Sequence, residues 1–225
     1  VITVEAVQHR LDDKVILRDL SCDLAQARIG IIGANGSGKS SFARLLNGLV
    51  LPSEGRILAH GHDTRRAGRA VRREVGFVFQ NPDHQIVYPV VEEDLAFGLK
   101  NSGLRGAALA RRIDETLHRF ALASLRHQAT HALSGGEKQL LALAGVIAMR
   151  PRTIVLDEPT TLLDLRNKRR IMEILAGLAQ QIILVTHDLD LLAGFDRVLV
   201  FDDGRIVADD APQPAVARYR ALMEA

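Results

Sequence analysis

The chain has no tryptophan, two tyrosines and seven phenylalanines, so any core it builds must be aliphatic. It has one cysteine, Cys22, which excludes an internal disulfide and fits a reducing compartment. In its apolar stretch Cys22 reads as a small buried hydrophobe. The longest apolar run, Leu140 to Met149, is about half of the roughly 20 residues that a bilayer crossing needs. Glu5, His9 and Arg10 interrupt any apolar leader core. A soluble protein is expected, with any membrane role supplied by a partner. Excess charge of one sign is also missing: 29 Lys and Arg stand against 27 Asp and Glu, which gives no mandate for nucleic-acid binding. The cluster Arg65, Arg66, Arg69, Arg72 and Arg73 lacks an aromatic platform and reads as a solvated face. His60 and His62 flank Gly61 without a third ligand nearby and read as a polar turn. Internal repeats and low-complexity tracts are absent.

What is present is an alternation of apolar runs. Val1 to Val7 and Val15 to Leu24, broken by Asp12-Asp13-Lys14, read as a hairpin. Arg28 to Ile32 is a short buried strand, followed by a helical pattern from Lys39 to Leu49. Gly55 to Ala59 and Val75 to Phe79 read as strands. From Val91 to Arg150 the spacing turns helical, with Leu109, Ile113, Leu117 and Phe120 recurring on one face. Strand-like runs return at Thr153 to Leu156, Ile182 to Val185 and Val198 to Phe201, with a helix over Leu165 to Leu178 and a short amphipathic piece at the end. The pattern predicts a mainly parallel sheet covered by helices. A helical block is inserted at about 81–150, between core segments of about 1–80 and 151–225.

Gly33-Ala34-Asn35-Gly36-Ser37-Gly38-Lys39-Ser40, followed by Ser41, fits G-x-x-x-x-G-K-[ST] in the strand-then-helix context that the motif requires. Its glycines let successive backbone N–H groups curl around anionic oxygens. The helix beginning at Lys39 adds its positive end. Lys39 supplies a point charge to the β- and γ-phosphates, and Ser40 offers a hydroxyl to Mg²⁺.

Thr153 to Leu156 ends in Asp157-Glu158, where one acid can hold Mg²⁺ through its water shell and the next can orient an attacking water. Glu158 is the candidate for the second role. The strand Ile182 to Val185 ends in Thr186-His187-Asp188, which places a third polar group at the same sheet edge. His187 reads there as a γ-phosphate sensor.

Leu133-Ser134-Gly135-Gly136-Glu137-Lys138-Gln139 then resembles the signature motif of ABC ATPases, with Glu137 where Gln is usual and Ser134 also suited to cap a helix. The phosphate loop, Gln80, the signature, Asp157-Glu158, Asp164 and His187 follow the family's order from Val1 to about Asp209. The resemblance implies a P-loop core with an N-terminal antiparallel β subdomain and an inserted helical subdomain. It also implies ATP hydrolysis with Mg²⁺. Gln80 would contact the metal or the attacking water and relay nucleotide state. The signature of one chain would face the phosphates held by a second chain, so a pair, expected as a homodimer, makes two composite sites.

Phe79-Gln80-Asn81-Pro82-Asp83-His84-Gln85-Ile86-Val87 and Val91 to Gly98 look like the ATPases of energy-coupling factor importers of vitamins and transition metals. Arg28 to Gly33 looks biotin-type, with cobalt-type second. That likeness implies peripheral attachment at the cytoplasmic face of the membrane. It also implies a transmembrane coupling protein that sets a helix on Asp83, His84 and Gln85, and a substrate-binding membrane subunit. The family's adenine-stacking aromatic aligns with Leu11, or with His9 if the register shifts, which puts nucleotide affinity in question. Ser41 stands where Thr is common. The rival readings are a soluble ABC-type ATPase outside transport and an ATP-gated regulatory module that does not turn nucleotide over.

Overall fold

The computed structural model describes residues 1–161 and 163–224. The chain divides into two compact units. The first comprises Val1–Phe77, Arg152–Glu158 and the chain from Ala179 onward; the second comprises Val78–Pro151 and Pro159–Leu178.

The first unit carries two sheets. Strands β1 (Ile2–Leu11), β2 (Lys14–Leu24), β4 (Glu54–Ala59) and β5 (His62–Asp63) form a four-stranded antiparallel sheet in the order β2-β1-β4-β5. The six-stranded sheet takes in β3 (Arg28–Gly33), β6 (Val75–Val78), β7 (Thr153–Asp157), β8 (Gln181–Val185), β9 (Arg197–Asp202) and β10 (Arg205–Asp210), in the order β10-β9-β3-β8-β7-β6. Strands β7, β8, β3 and β9 pair in parallel, and β10 returns antiparallel along β9. Parallel strands covered on both faces must be apolar along their whole length. Accordingly every residue of β7 is buried, as are Ile182 to Val185 of β8.

Helix α1 (Lys39–Leu46) covers this sheet with Phe42, Ala43, Leu45 and Leu46. The Phe42 ring lies 5.1 Å from that of Phe201 on β9. The helix stops at Leu46, short of the expected Leu49. Asn47 turns its buried side chain to the Val75 carbonyl, and Gly48 adopts a left-handed φ of 71°. The short helix α2 (Gly68–Glu74) carries Arg69, Arg72 and Arg73, and Val71 is its buried residue. Cys22 is only partly buried, and desolvation pushes its thiol up to about 11, which favours the protonated form over the nucleophilic thiolate.

The second unit is helical: α3 (Val91–Asn101), α4 (Gly106–Arg119), α5 (Gly135–Ala148) and α6 (Leu165–Ala176). Helix α5 is its centre, with ten buried residues that include Leu140 to Ala144 and Val146 to Ala148. A helix apolar nearly all round must be enclosed by others. Leu95 and Leu99 of α3 and Ile113 and Leu117 of α4 supply buried apolar faces of their own. Arg126 ties these two helices together, bonding Glu92 at 2.5 and 2.8 Å and also Asp114. Helix α7 (Pro212–Met223) closes the first unit against β9, where Ala215 is fully buried.

Candidate functional site

Register sets the geometry at the carboxyl edge of the parallel sheet. Asp157 of β7 lies opposite Val185 of β8, and Val185 lies opposite Ile31 of β3. The residues that follow these three positions, Glu158, Thr186-His187 and Ile32-Gly33, therefore leave the sheet at one level. Ligands of open α/β sheets bind at such an edge.

The loop after β3 turns into α1 through Gly38, whose φ of 101° is left-handed. A Cβ there would stand 2.6 Å from Leu17 Cδ2 and 3.1 Å from the Ile16 carbonyl oxygen. Gly38 is thus required both by conformation and by the close passage of β2. Lys39 Nζ donates to the carbonyls of Gly33 and Ala34, each at 2.8 Å, and is almost fully buried. Burial pulls its pKa below the ordinary lysine value, and the charges of Glu158 and Asp157 oppose that pull. Ser37 Oγ is buried without a hydrogen-bond partner. Orphaned polar atoms are costly unless a ligand satisfies them.

Ser40 Oγ donates to Asp157 Oδ1 at 2.9 Å. Asp157 is 2% exposed, and burial raises its carboxyl above the usual range, while the Ser40 bond and the Arg44 guanidinium work in the opposite direction. Arg44 Nη2 lies 3.8 Å from Asp157 Oδ2. Sequence reading missed Arg44, although its position four residues after Ser40 puts both on one helix face. Glu158 has a left-handed φ of 47°, uncommon for a residue with a side chain. Its backbone N–H donates to the Val185 carbonyl at 3.0 Å, and its Oε1 lies 2.8 Å from His187 Nε2. Backbone strain of this kind clusters at functional sites.

Leu11 is 62% exposed and pairs with Lys14 at the hairpin end. His9, the alternative for the adenine side, is buried, with its Nδ1 unpartnered. The hairpin therefore offers Leu11 to a ligand and withholds the His9 ring.

In the second unit, Ser134 caps α5 with a capping box. Its Oγ accepts from Glu137 N at 3.3 Å, and its own N–H and O–H donate to Glu137 Oε2 at 2.8 and 2.7 Å. The Ser134 hydroxyl and N–H hold the Glu137 carboxyl below the usual carboxylate range. Gly135 and Gly136 open the helix beside it. Asp164 caps α6, accepting from Asn167 N at 2.8 Å. Leu162, in the segment before Asp164, lies outside the described residues.

Gln80 is exposed at the end of β6. The segment after it is pinned to α5: Gln85 Nε2 donates to the Ala142 carbonyl at 2.7 Å, and Lys138 Nζ lies 2.7 Å from Asp83 Oδ1. Of the three residues expected to meet a partner helix, Gln85 and Asp83 are engaged within the chain and His84 is exposed. Sequence spacing gave no sign of these two bonds.

The ABC transporter family profile matches residues 17–161. The chain belongs to that family, and like the ATP-binding subunits of its transporters it is an ATPase. A relative from Deinococcus radiodurans, named generically as an ABC transporter ATP-binding protein, is 56% identical over 99% of this chain and 98% of its own length. The biotin transport ATP-binding protein BioM of Rhizobium etli is 47% identical, covering 93% of each chain. The energy-coupling factor transporter ATP-binding protein EcfA of Syntrophomonas wolfei is 42% identical over 94% of this chain and 80% of its own. Among solved structures, cbiO1 of Clostridium perfringens, part of the ABC transporter complex cbiONQ, superposes with a TM-score of 0.84 at 32% identity, over 99% of this chain and 93% of its own. The fold is that of ABC ATPases.

Proposed function

We propose that this chain is the ATP-hydrolysing subunit of an energy-coupling factor importer that takes up a vitamin, with biotin as the solute. The observation that carries the chemistry is the Glu158–His187 pair at 2.8 Å, one residue beyond the Ser40–Asp157 bond at 2.9 Å. Glu158 orients the attacking water and accepts its proton, and His187 holds Glu158 and senses the γ-phosphate. Lys39 and the N–H groups of residues 33–41, including Asn35, Gly36 and Ser41, grip the phosphates. Leu11 faces adenine.

Mg²⁺ is the metal this site suits, because the Ser40 hydroxyl and the Asp157 carboxylate are hard oxygen donors already 2.9 Å apart. Gln80 is the third candidate ligand. When bound, the ion neutralises charge on the transferring phosphoryl group.

A second copy supplies Ser134, Gly135, Gly136 and Glu137 to the nucleotide held by the first, and Asp164 belongs to the same contact. The exposed end of α5 supports this reading: a Cβ on Gly135 would meet nothing within 4 Å in its own chain. No helix among the described residues is long and apolar enough to cross a membrane, so transport needs membrane partners. A transmembrane coupling protein docks near His84 at the cytoplasmic face, and a further membrane subunit binds the solute. The BioM relative supports biotin; a transition metal ion, from the cobalt-type resemblance of the sequence, is the second solute class.

Isolating the complex from native membranes and measuring ATP-dependent uptake of labelled biotin tests this reading. Companions without membrane-spanning segments, or uptake indifferent to a Glu158→Gln change, would count against it.

A further inference from the structure

The two glycines of the signature turn stand in different surroundings. A Cβ on Gly135 would meet nothing within 4 Å, whereas one on Gly136 would meet Asn167 Nδ2 at 2.5 Å and Cγ at 2.8 Å. Gly136 is absent from the residues with positive φ, so its conformation does not demand glycine. Gly136 is the second residue of α5 after the Ser134 cap, and Asn167 fills the space a side chain there would take.

Asn167 is not a loose tip that could swing aside. Its backbone N–H donates to Asp164 Oδ1 at 2.8 Å, and its Nδ2 donates to Asp164 Oδ2 at 3.3 Å. One turn further along α6, Arg170 donates to the Phe120 carbonyl at 2.6 Å. Positions 167 and 170 share one helix face, so the cap at Asp164 orients Asn167 within α6, and Arg170 ties the same face to the Phe120 carbonyl.

We propose that Asn167 is a positioning residue for the signature turn: aimed by Asp164, its amide braces the first turn of α5, and Gly136 is glycine because Asn167 lies on it. The proposal rests on the reading of Ser134 to Glu137 as part of an ATP site. Its consequence is that displacement of Asp164 reaches Ser134 through a single side chain. The segment that meets the second copy and the turn that seals nucleotide then move together. Gly135 remains the glycine whose requirement lies outside its own chain.

A suppressor experiment separates this from the alternative, in which Gly136 is small only to admit nucleotide. Gly136→Ala, Asn167→Ala and the double variant are made in the full chain. Their unfolding midpoints and the ATP dependence of hydrolysis are then measured. Asn167→Ala is expected to lower kcat by up to ~10²-fold, the scale of a catalytic element misplaced by about 1 Å, with KM and midpoint close to wild type. Gly136→Ala should lose roughly 2–12 °C of midpoint, the cost of overpacking in a chain this size, together with most of its kcat. The double variant should regain both, to the level of Asn167→Ala.

A double variant no better than Gly136→Ala overturns the proposal, as does an Asn167→Ala enzyme with wild-type kcat. Recovery of the midpoint without kcat also overturns it, since the contact would then be packing alone. Gly135→Asp reports separately on the composite site. Normal hydrolysis by that variant removes the underlying reading, and the proposal with it, whatever the other three show.

Discussion

His187 Nε2 and Glu158 Oε1 meet at 2.8 Å across the ends of two neighbouring parallel strands. The pairing follows from strand register: Asp157 opposite Val185 leaves Glu158 and His187 to emerge side by side. Glu158 is mostly buried, with 11% of its side chain exposed, and it holds a left-handed backbone angle. A side chain held in place by its His187 contact and its backbone angle is suited to orienting one water.

Glu158→Gln should therefore keep ATP binding and lose turnover by ~10²–10⁴, the usual contribution of a positioned base. Equilibrium binding of a fluorescent ATP analogue and steady-state phosphate release measure the two effects separately. Equal hydrolysis in both forms would remove Glu158 from the chemistry.

Gly38→Ala puts a side chain at φ 101° and a Cβ 2.6 Å from Leu17. Left-handed backbone costs about 1–2 kcal/mol for a non-glycine residue, and overpacking adds about 1–3 kcal/mol. The variant should melt several degrees lower and bind ATP more weakly, both readable in a thermal-shift titration with nucleotide.

Leu11→Phe should tighten nucleotide binding. Leu11 is exposed at the hairpin end, and an aromatic there adds stacking worth ~0.5–1.5 kcal/mol, a two- to tenfold fall in Kd. Calorimetry with ADP reads this directly, and an unchanged Kd would place adenine elsewhere.

The Arg126 hydrogen bond lowers the Glu92 pKa from its ordinary 4.5, assisted by the nearby charges of Arg126 and His127. A depressed carboxylate stabilises the fold fully above its unfolded pKa, and the gain is lost as pH falls through the folded value. Glu92→Gln should thus melt below wild type at pH 7. The gap should not shrink down to about pH 5 and should close below 4.5. Melting curves of the two proteins over pH 3–7 check the sign.

The apolar strands β3, β7, β8 and β9 were legible because burial on both faces writes a continuous run into the sequence. The glycine turn that leads from β3 into α1 was legible because it lies within eight consecutive residues. Strand β10 was not: only Ile206, Val207 and Ala208 are apolar in Arg205–Asp210, which is an edge strand. Asp203-Gly204, with φ of 38° and 74°, was the available hairpin signal. The Asp83–Lys138 pair, the Gln85 bond to Ala142 and the Asn167 contact on Gly136 join residues far apart in sequence. No local pattern encodes them. Cys22, read as a buried hydrophobe, is only partly buried.

The central claim is that nucleotide is held by one copy and sealed by the signature of another. Light scattering on Glu158→Gln, with and without ATP, measures this most directly. The account predicts a doubling of mass on adding ATP, abolished by Gly135→Asp. A mass unchanged by ATP, with wild-type hydrolysis per chain independent of protein concentration, would contradict it.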